Sequence, residues 1–410
     1  MGRGILTSVA VSISLVTLWT AAARAESLLF QPRLVLAQAA LADSAALDTA
    51  ARAPAKAAKA RPAKKPAEKK RMALAGSFDL ELIYDDNVFR YSPENLLEFR
   101  QGLNPEKFNL DTYDDFVVSP RLQFSLGRRL IGAYETNILA RYTLWQYTSN
   151  PDKTNESIWL RLRQPVSRSA FFEAAYTHAP LAYIRELTDR APFDPRSTTA
   201  LEWMAFRSTR HAFTLAYQMR LSSRLLARLE GGRTIRYYNR PFMENDNWEW
   251  NAEASGWFTL TKSWRVSGRY MYSDTEARAL DTVGEERASS DDGDPSYERD
   301  LYELGLRFRP PRAIWLFRHC EVSGQYQAYF FTGDQPYHLD PIHTGRKDEV
   351  WVAEVGATSA PVWREVTLDL GYRHTERSSS STASSIGADS IEEDKNYEDN
   401  RVWMHFSYPF

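Results

Sequence analysis

The chain has one cysteine in 410 residues, Cys320, so no intramolecular disulfide can hold its fold. After the first 25 residues it has no apolar run near the roughly 20 residues that a membrane-spanning helix needs. With a mean hydropathy of −0.49, a helical membrane protein is excluded. The seven histidines are scattered without ligand spacing, so no metal site and no cofactor is expected. There is no nucleic-acid module and no repeat at solenoid periods, which argues against a nucleic-acid partner or a stacked-repeat fold.

The one apolar run lies at the start. Arg3 precedes ILTSVAVSISLVTLW, and Ala23-Arg24-Ala25 forms a small-residue cleavage pattern, so residues 1–25 are expected to be a secretory signal peptide. No cysteine follows the run, which argues against a lipid anchor. Residues 26–72 begin Ala- and Leu-rich and continue as ARAPAKAAKARPAKKPAEKKR, with nine basic residues and one acidic. Such a segment cannot bury a core and is expected to be an extended periplasmic linker. Its charge suits an anionic partner such as peptidoglycan or lipid headgroups. The first fifty residues balance, so against a chain total of −2 the linker's +8 leaves −10 for residues 72–410.

From residue 73 to 410 the texture is period-2 alternation. GSFDLELIY puts Phe78, Leu80 and Leu82 on one face; HAFTLAYQMRL and NWEWNAEASGWFTL alternate in the same way. Such runs are strands with one apolar and one polar face. Fourteen are expected, with 12–18 as the bracket: 76–86, 113–126, 133–147, 155–164, 170–178, 201–221, 225–237, 247–260, 264–274, 298–309, 319–332, 349–359, 365–375 and 399–410. A soluble sandwich and a membrane barrel both produce this pattern, but the joins alternate short and long, as in outer-membrane barrels. The expected fold is all-β, an antiparallel up-and-down transmembrane barrel. Trp and Tyr, 12 and 21 in number, suit its two interfaces.

The chain ends in RVWMHFSYPF, with Val402, Met404, Phe406, Tyr408 and Phe410 on one face. In a barrel this strand must pair with the first, because an open edge in lipid leaves backbone groups unsatisfied. An alternating last strand ending in Phe resembles the signal that the barrel-assembly machinery engages, with Phe406, Tyr408 and Phe410 as its carriers. The segment YDDNVFR, Tyr84 to Arg90, is similar to the Y-D-(D/S)-N-(I/V)-F segment near the start of β-barrel porin families of Gram-negative bacteria. The resemblance implies an outer-membrane location among lipid and lipopolysaccharide. Some members lie beside exopolysaccharide genes, which adds polysaccharide export to passive solute diffusion as a reading.

By parity the barrel interior should carry Arg161, Arg163, Arg228, Glu249, Glu253, Arg265, Arg269, Glu303, Arg307, Glu321, Gln325 and Trp403. Mixed charges and aromatic faces suit small or polyhydroxyl solutes passing through a porin-like conduit. With Thr261–Ser263 as a turn, Glu253 should lie diagonal to Arg269, and Glu303 on its far side. A plug is expected, if anywhere, from loops 179–200 or 275–297. The acidic runs Asp291–Asp294 and 391–400 read as solvated loops. His405-x-Ser407 has no evident carboxylate to orient the histidine, so an enzyme such as a lipid hydrolase is not expected. A structural or assembly barrel without conductance is the other alternative.

Overall fold

A computed structural model describes residues 73–189, 202–280, 293–333, 335, 340–381 and 391–410. The expected signal peptide and basic linker therefore lie outside the described residues. Fourteen antiparallel strands form one closed barrel in which each strand pairs with its sequence neighbours and β1 pairs with β14. They are β1 (Ala73–Asp85), β2 (Asp115–Arg128), β3 (Thr136–Tyr147), β4 (Asn155–Pro165), β5 (Ala170–Asp189), β6 (Glu202–Arg220) and β7 (Leu225–Tyr238). Then come β8 (Asn247–Thr259), β9 (Trp264–Ala277), β10 (Tyr297–Phe308), β11 (Phe317–Phe331), β12 (Arg346–Ser359), β13 (Thr367–Ser381) and β14 (Tyr397–Pro409).

The joins sort by end. One end carries connections of four to eight residues, and the other connections of seven to twenty-nine. Three of the tightest turns use one device. Ser222 Oγ accepts from the backbone N–H of Arg224 and Leu225, Thr261 Oγ1 from Ser263 and Trp264, and Ser167 Oγ from Ser169. A hydroxyl at the start of a turn supplies the acceptor that the reversed backbone lacks.

At the seam Ser77 faces Pro409 and Asp85 faces Arg401. Gly76 and Phe410 exchange both backbone hydrogen bonds, at 2.9 and 2.8 Å. A Cβ on Gly76 would collide with the Phe410 ring, so glycine there lets the last side chain lie flat across the first strand. The ring also meets Phe124 of β2 edge-on at 6.4 Å. Phe410 therefore ties the two ends of the wall to the strand beyond.

The outer face is an apolar belt that includes Leu80, Leu215, Leu229, Leu304 and Val402, exposed or half-exposed on alternating positions. Towards the long-loop end, tyrosines on this face donate across strands: Tyr84 to Asp114, Tyr142 to Glu156, Tyr270 to Asp300 and Tyr326 to Glu349. Near the short-turn end Trp264 packs on Phe308, with ring centroids 4.5 Å apart, and Tyr408 and Phe410 are exposed. Two aromatic girdles bounding an apolar belt are what the two faces of a bilayer select. The fold is a transmembrane β-barrel.

Two differences from the sequence expectation matter. β5 does not stop at 178 but continues to Asp189, through register shifts at Ala179/Ala182 and Tyr183/Arg185. Each shift breaks the period-2 pattern, so the upper part of the strand does not look like one. The second difference is the plug, described next.

Candidate functional site

Alternate residues of each strand face the barrel interior, and there charges pair across strands. Ser255 lies opposite Arg269, whose Nε is 3.1 Å from Glu253 and whose Nη1 is 3.0 Å from Glu303. Arg307 bonds Glu321 at 2.7 Å, and Arg265 faces Arg307 across β9 and β10. Gln325 faces Glu303. On another part of the wall Glu173 takes Arg228 at 3.0 Å, Arg163 at 3.2 Å and Arg161 at 3.6 Å. Glu249 sits between Arg236 and Arg299, each at 3.0 Å. Trp403 is buried over Gly371, where any Cβ would strike its ring.

The interior is not uniform along its length. Near the long-loop end Arg377, Gln327, Glu249 and Asp399 are at most 1% exposed. Nearer the short turns the side chains of Glu303, Glu354 and Asp369 are 26–30% exposed. The interior around Glu303, Glu354 and Asp369 is therefore more open near the short turns, whereas on the β3–β6 side Thr136, Gln164 and Gln218 stay buried down to that end.

The first long loop adds to this packing, beside the two loops expected to do so, 179–200 and 275–297. Of those two, the described parts are largely continuations of β5 and β9, and 190–200 and 281–292 lie outside the described residues. Residues 86–114 fold across the mouth. Val88, Phe89, Tyr91 and Phe108 bury against Tyr183 of β5, with Tyr147 of β3 beside them. The loop carries helix α1 (Pro93–Gln101), started by Ser92, whose side chain accepts from the Asn95 N–H, and by Pro93 in the first turn. Gly102, at φ 66°, ends it in the left-handed conformation. Asn95 donates to Asp394 in helix α2 (Ile391–Lys395), so two loops lock together over the opening.

The YDDNVFR segment builds this plug. Asp85 accepts from the Asn87 N–H at 3.0 Å, and Asp86 accepts from the Asn400 backbone and side chain at 2.7 and 2.8 Å. Asn87 donates to Tyr91 O and Glu398 O and accepts from the Tyr91 N–H. Arg401 bridges Asp85 and Asp399 at 2.8 and 3.1 Å, and Arg90 lies 3.6 Å from Asp399. The carboxylates of Asp85, Asp86 and Asp399 form the one acidic trio with metal-ligand spacing among the described residues. Arginine and asparagine donors already engage all three.

Lys153, in the single 3-10 turn between β3 and β4, is buried beneath the plug. Its Nζ lies 4.3 Å from the Phe89 ring centroid and donates to Ile184 O. Burial lowers its pKa to about 7, helped by the positive charges of Arg90 and Arg185. Lys395 in α2 is lowered to about 8, again by burial, against the pull of Asp394.

The acidic runs expected to be solvated divide: Asp394 and Glu398 are exposed, but two members are buried. Asp294 is buried, accepts from Ser296, and its N–H donates to Asp340, while Asp399 is buried in the plug contact; Asp291 and Asp292 lie outside the described residues. His405 has the carboxylate that sequence reading did not find: Asp369 Oδ2 lies 3.0 Å from Nδ1, with Asp79 3.6 Å from Nε2. Nε2 makes no hydrogen bond at normal distance. Sequence reading also passed over Asp79, Glu81, Arg121 and Arg141, although the alternation that selected Arg161 runs through their strands too.

No known protein family matches the chain, and no curated protein matches it. Among solved structures it is similar to the outer membrane channel DcaP of Acinetobacter baumannii, at 12% identity and TM-score 0.42, over 83% of this chain and 97% of that one. A loop L8 deletion mutant of OmpT, an outer membrane protein of Vibrio cholerae, matches at 7% identity and TM-score 0.43, over 83% and 100%. An anion-selective porin from Comamonas acidovorans matches at 9% identity and TM-score 0.38, over 83% and 99%. These likenesses assign no residue role and no solute to this chain.

Proposed function

We propose that the chain is a porin-like conduit of a Gram-negative outer membrane, passing small polar or polyhydroxyl solutes, with the long-loop end outward and closed by residues 86–114. The observation that carries this reading is the exposure gradient. The charged ladder around Arg269 and Glu303 is partly open, while the mouth above it is packed by wall side chains and by the loop that folds against them. Fourteen strands enclose more interior than side chains alone fill in an eight-stranded barrel. Lipid and lipopolysaccharide then meet the tyrosine girdle, and the assembly machinery meets Phe406, Tyr408 and Phe410.

The test is planar-bilayer conductance of the refolded barrel. Wild-type protein should conduct rarely, and a variant lacking 93–108 should conduct steadily and admit sugars in liposome swelling. Silence from both would favour a structural or assembly barrel, an accessory of polysaccharide export included. No catalysis is assigned to His405; lipid hydrolysis that disappears in Ser407→Ala would overturn that.

A further inference from the structure

We propose that the lipid-facing side of β6, β7 and β8 holds a binding site for one phosphorylated glycolipid of the outer leaflet, lipid A, with Arg233 gripping a phosphate. The choice of leaflet rests on the orientation proposed above; the need for an anionic lipid does not.

Arg233 lies in the half of β7 nearest the long loops, exposed, on the same outward face as Leu229 and Tyr237. Among the described residues it has no ion pair and no side-chain hydrogen bond. Its one partner is the Trp250 ring, whose centroid is 4.8 Å from the guanidinium. Lys347, also on the outer face, has Glu349 as its counter-charge. Among the described residues the lipid-facing positions of β6, β7 and β8 carry no carboxylate. The next one round the wall, Asp274 of β9, lies beyond Trp250 and faces Glu298. A cation on the lipid face of a barrel costs more stability the deeper it lies, and such a charge marks a site. The protein supplies no anion to Arg233, so the anion comes from the lipid side.

The surroundings fit a lipid and not a soluble anion. Register sets Phe213, Arg233 and Trp250 side by side, with both rings about half exposed. One row nearer the short turns, Gly231 and Ala252 face each other between the exposed side chains of Leu215 and Tyr272. A Cβ on Gly231 would meet nothing nearer than a backbone oxygen at 3.8 Å, so packing does not keep this position small. The shallow trough continues down β8 through Ala254 and Gly256, walled by Leu229 and Tyr270. On the long-loop side of Arg233, His211 bonds the Tyr176 hydroxyl at 2.9 Å and stacks on His178 at 4.7 Å, with the Tyr237 ring edge-on. Polar groups above, a cation between and an apolar trough below match the order of sugar, phosphate and acyl chain. The planar guanidinium suits a phosphate through two parallel hydrogen bonds.

Native mass spectrometry of the full refolded barrel in detergent, titrated separately with lipid A, phosphatidylglycerol and a neutral diacylglycerol, tests this. One lipid A should bind saturably and more tightly than phosphatidylglycerol, and diacylglycerol should not bind. Arg233→Gln should weaken lipid A about tenfold, as for the loss of a hydrogen bond to a charged group, and Arg233→Lys less. Gly231→Leu, which fills the trough, should weaken it as well. Both positions face outward, so these variants should keep the heat-modifiable band of a folded barrel. Lys347→Gln, on β12, should bind as wild type does. Inorganic phosphate should not displace the lipid. Displacement by phosphate, a tighter hold on phosphatidylglycerol, no saturable lipid A, or wild-type binding by Arg233→Gln overturns the site. A dimer of barrels that Arg233→Gln disperses would overturn it too, by giving Arg233 a protein partner. Conductance without binding sinks the site alone; binding without conductance sinks the conduit and leaves the site.

Discussion

Asn87 and Lys153 together decide how firmly the mouth is shut. Asn87 makes three hydrogen bonds between the loop and the end of β14 or within the loop's turn. At about 0.5–1.5 kcal/mol net for each, Asn87→Ala should weaken the plug by roughly 2–4 kcal/mol. Faster amide exchange at residues 88–108, with the strands unchanged, is the expected readout. Lys153 acts against the plug. Its pKa is about 7 when buried, while a released lysine titrates near 10.4. Below about pH 7 the amine is charged in both states, and the full cost of burying it opposes closure. From about 7 to about 10 only the released form holds the proton, so that cost shrinks as pH rises. Lys395 shifts in the same direction and adds to the effect. Open probability in bilayers should therefore fall between about pH 7 and 10, and Lys153→Met should flatten most of that slope and close the barrel further. An unchanged slope in Lys153→Met would remove Lys153 from the gate.

Strands were legible where the alternation is unbroken, and the fourteen lie within a few residues of the expected runs, except that bulges break the period in β5 and β13 runs six residues beyond 375, to Ser381. The plug was not legible because Val88, Phe89, Tyr91 and Phe108 occur at no strand or helix period, and their burial depends on Tyr183, far along the chain. The His405–Asp369 contact depends on register across β13 and β14, which alternation does not set. The seam was half legible: Phe410 was evident, but its need for Gly76 was not. Gly76→Val should push the Phe410 ring off the first strand and lower the folded, heat-modifiable fraction on gels, as should Phe410→Ser. Normal assembly of both variants would show that barrel closure does not depend on this contact.

For the whole molecule the sorting of joins supports the proposed orientation, with long loops outward and short turns in the periplasm. Labelling on intact cells should reach a tag within 382–390 and not one at Ser223; the reverse result would invert the barrel. Selectivity follows from the lower, open half of the interior. Arg269 there is the single cation between Glu253 and Glu303, at 3.1 and 3.0 Å. Cross-strand ion pairs contribute only about 0.2–1 kcal/mol each, so the ladder is not what holds the barrel together. Its effect belongs to the field inside a confined space, where low-dielectric walls focus charge. Arg269→Glu places three carboxylates side by side and removes the cation that balanced two of them. The variant should assemble normally, and its reversal potential in a salt gradient should shift towards cation preference. The shift should be larger at low salt, since screening over about 10 Å at 0.1 M already spans much of such a lumen. In the 93–108 deletion background the same substitution should act on a steadily open barrel, so plug and selectivity can be read separately. If ions pass and their preference is unaltered, the current does not run beside Arg269, and the passage lies elsewhere in the barrel.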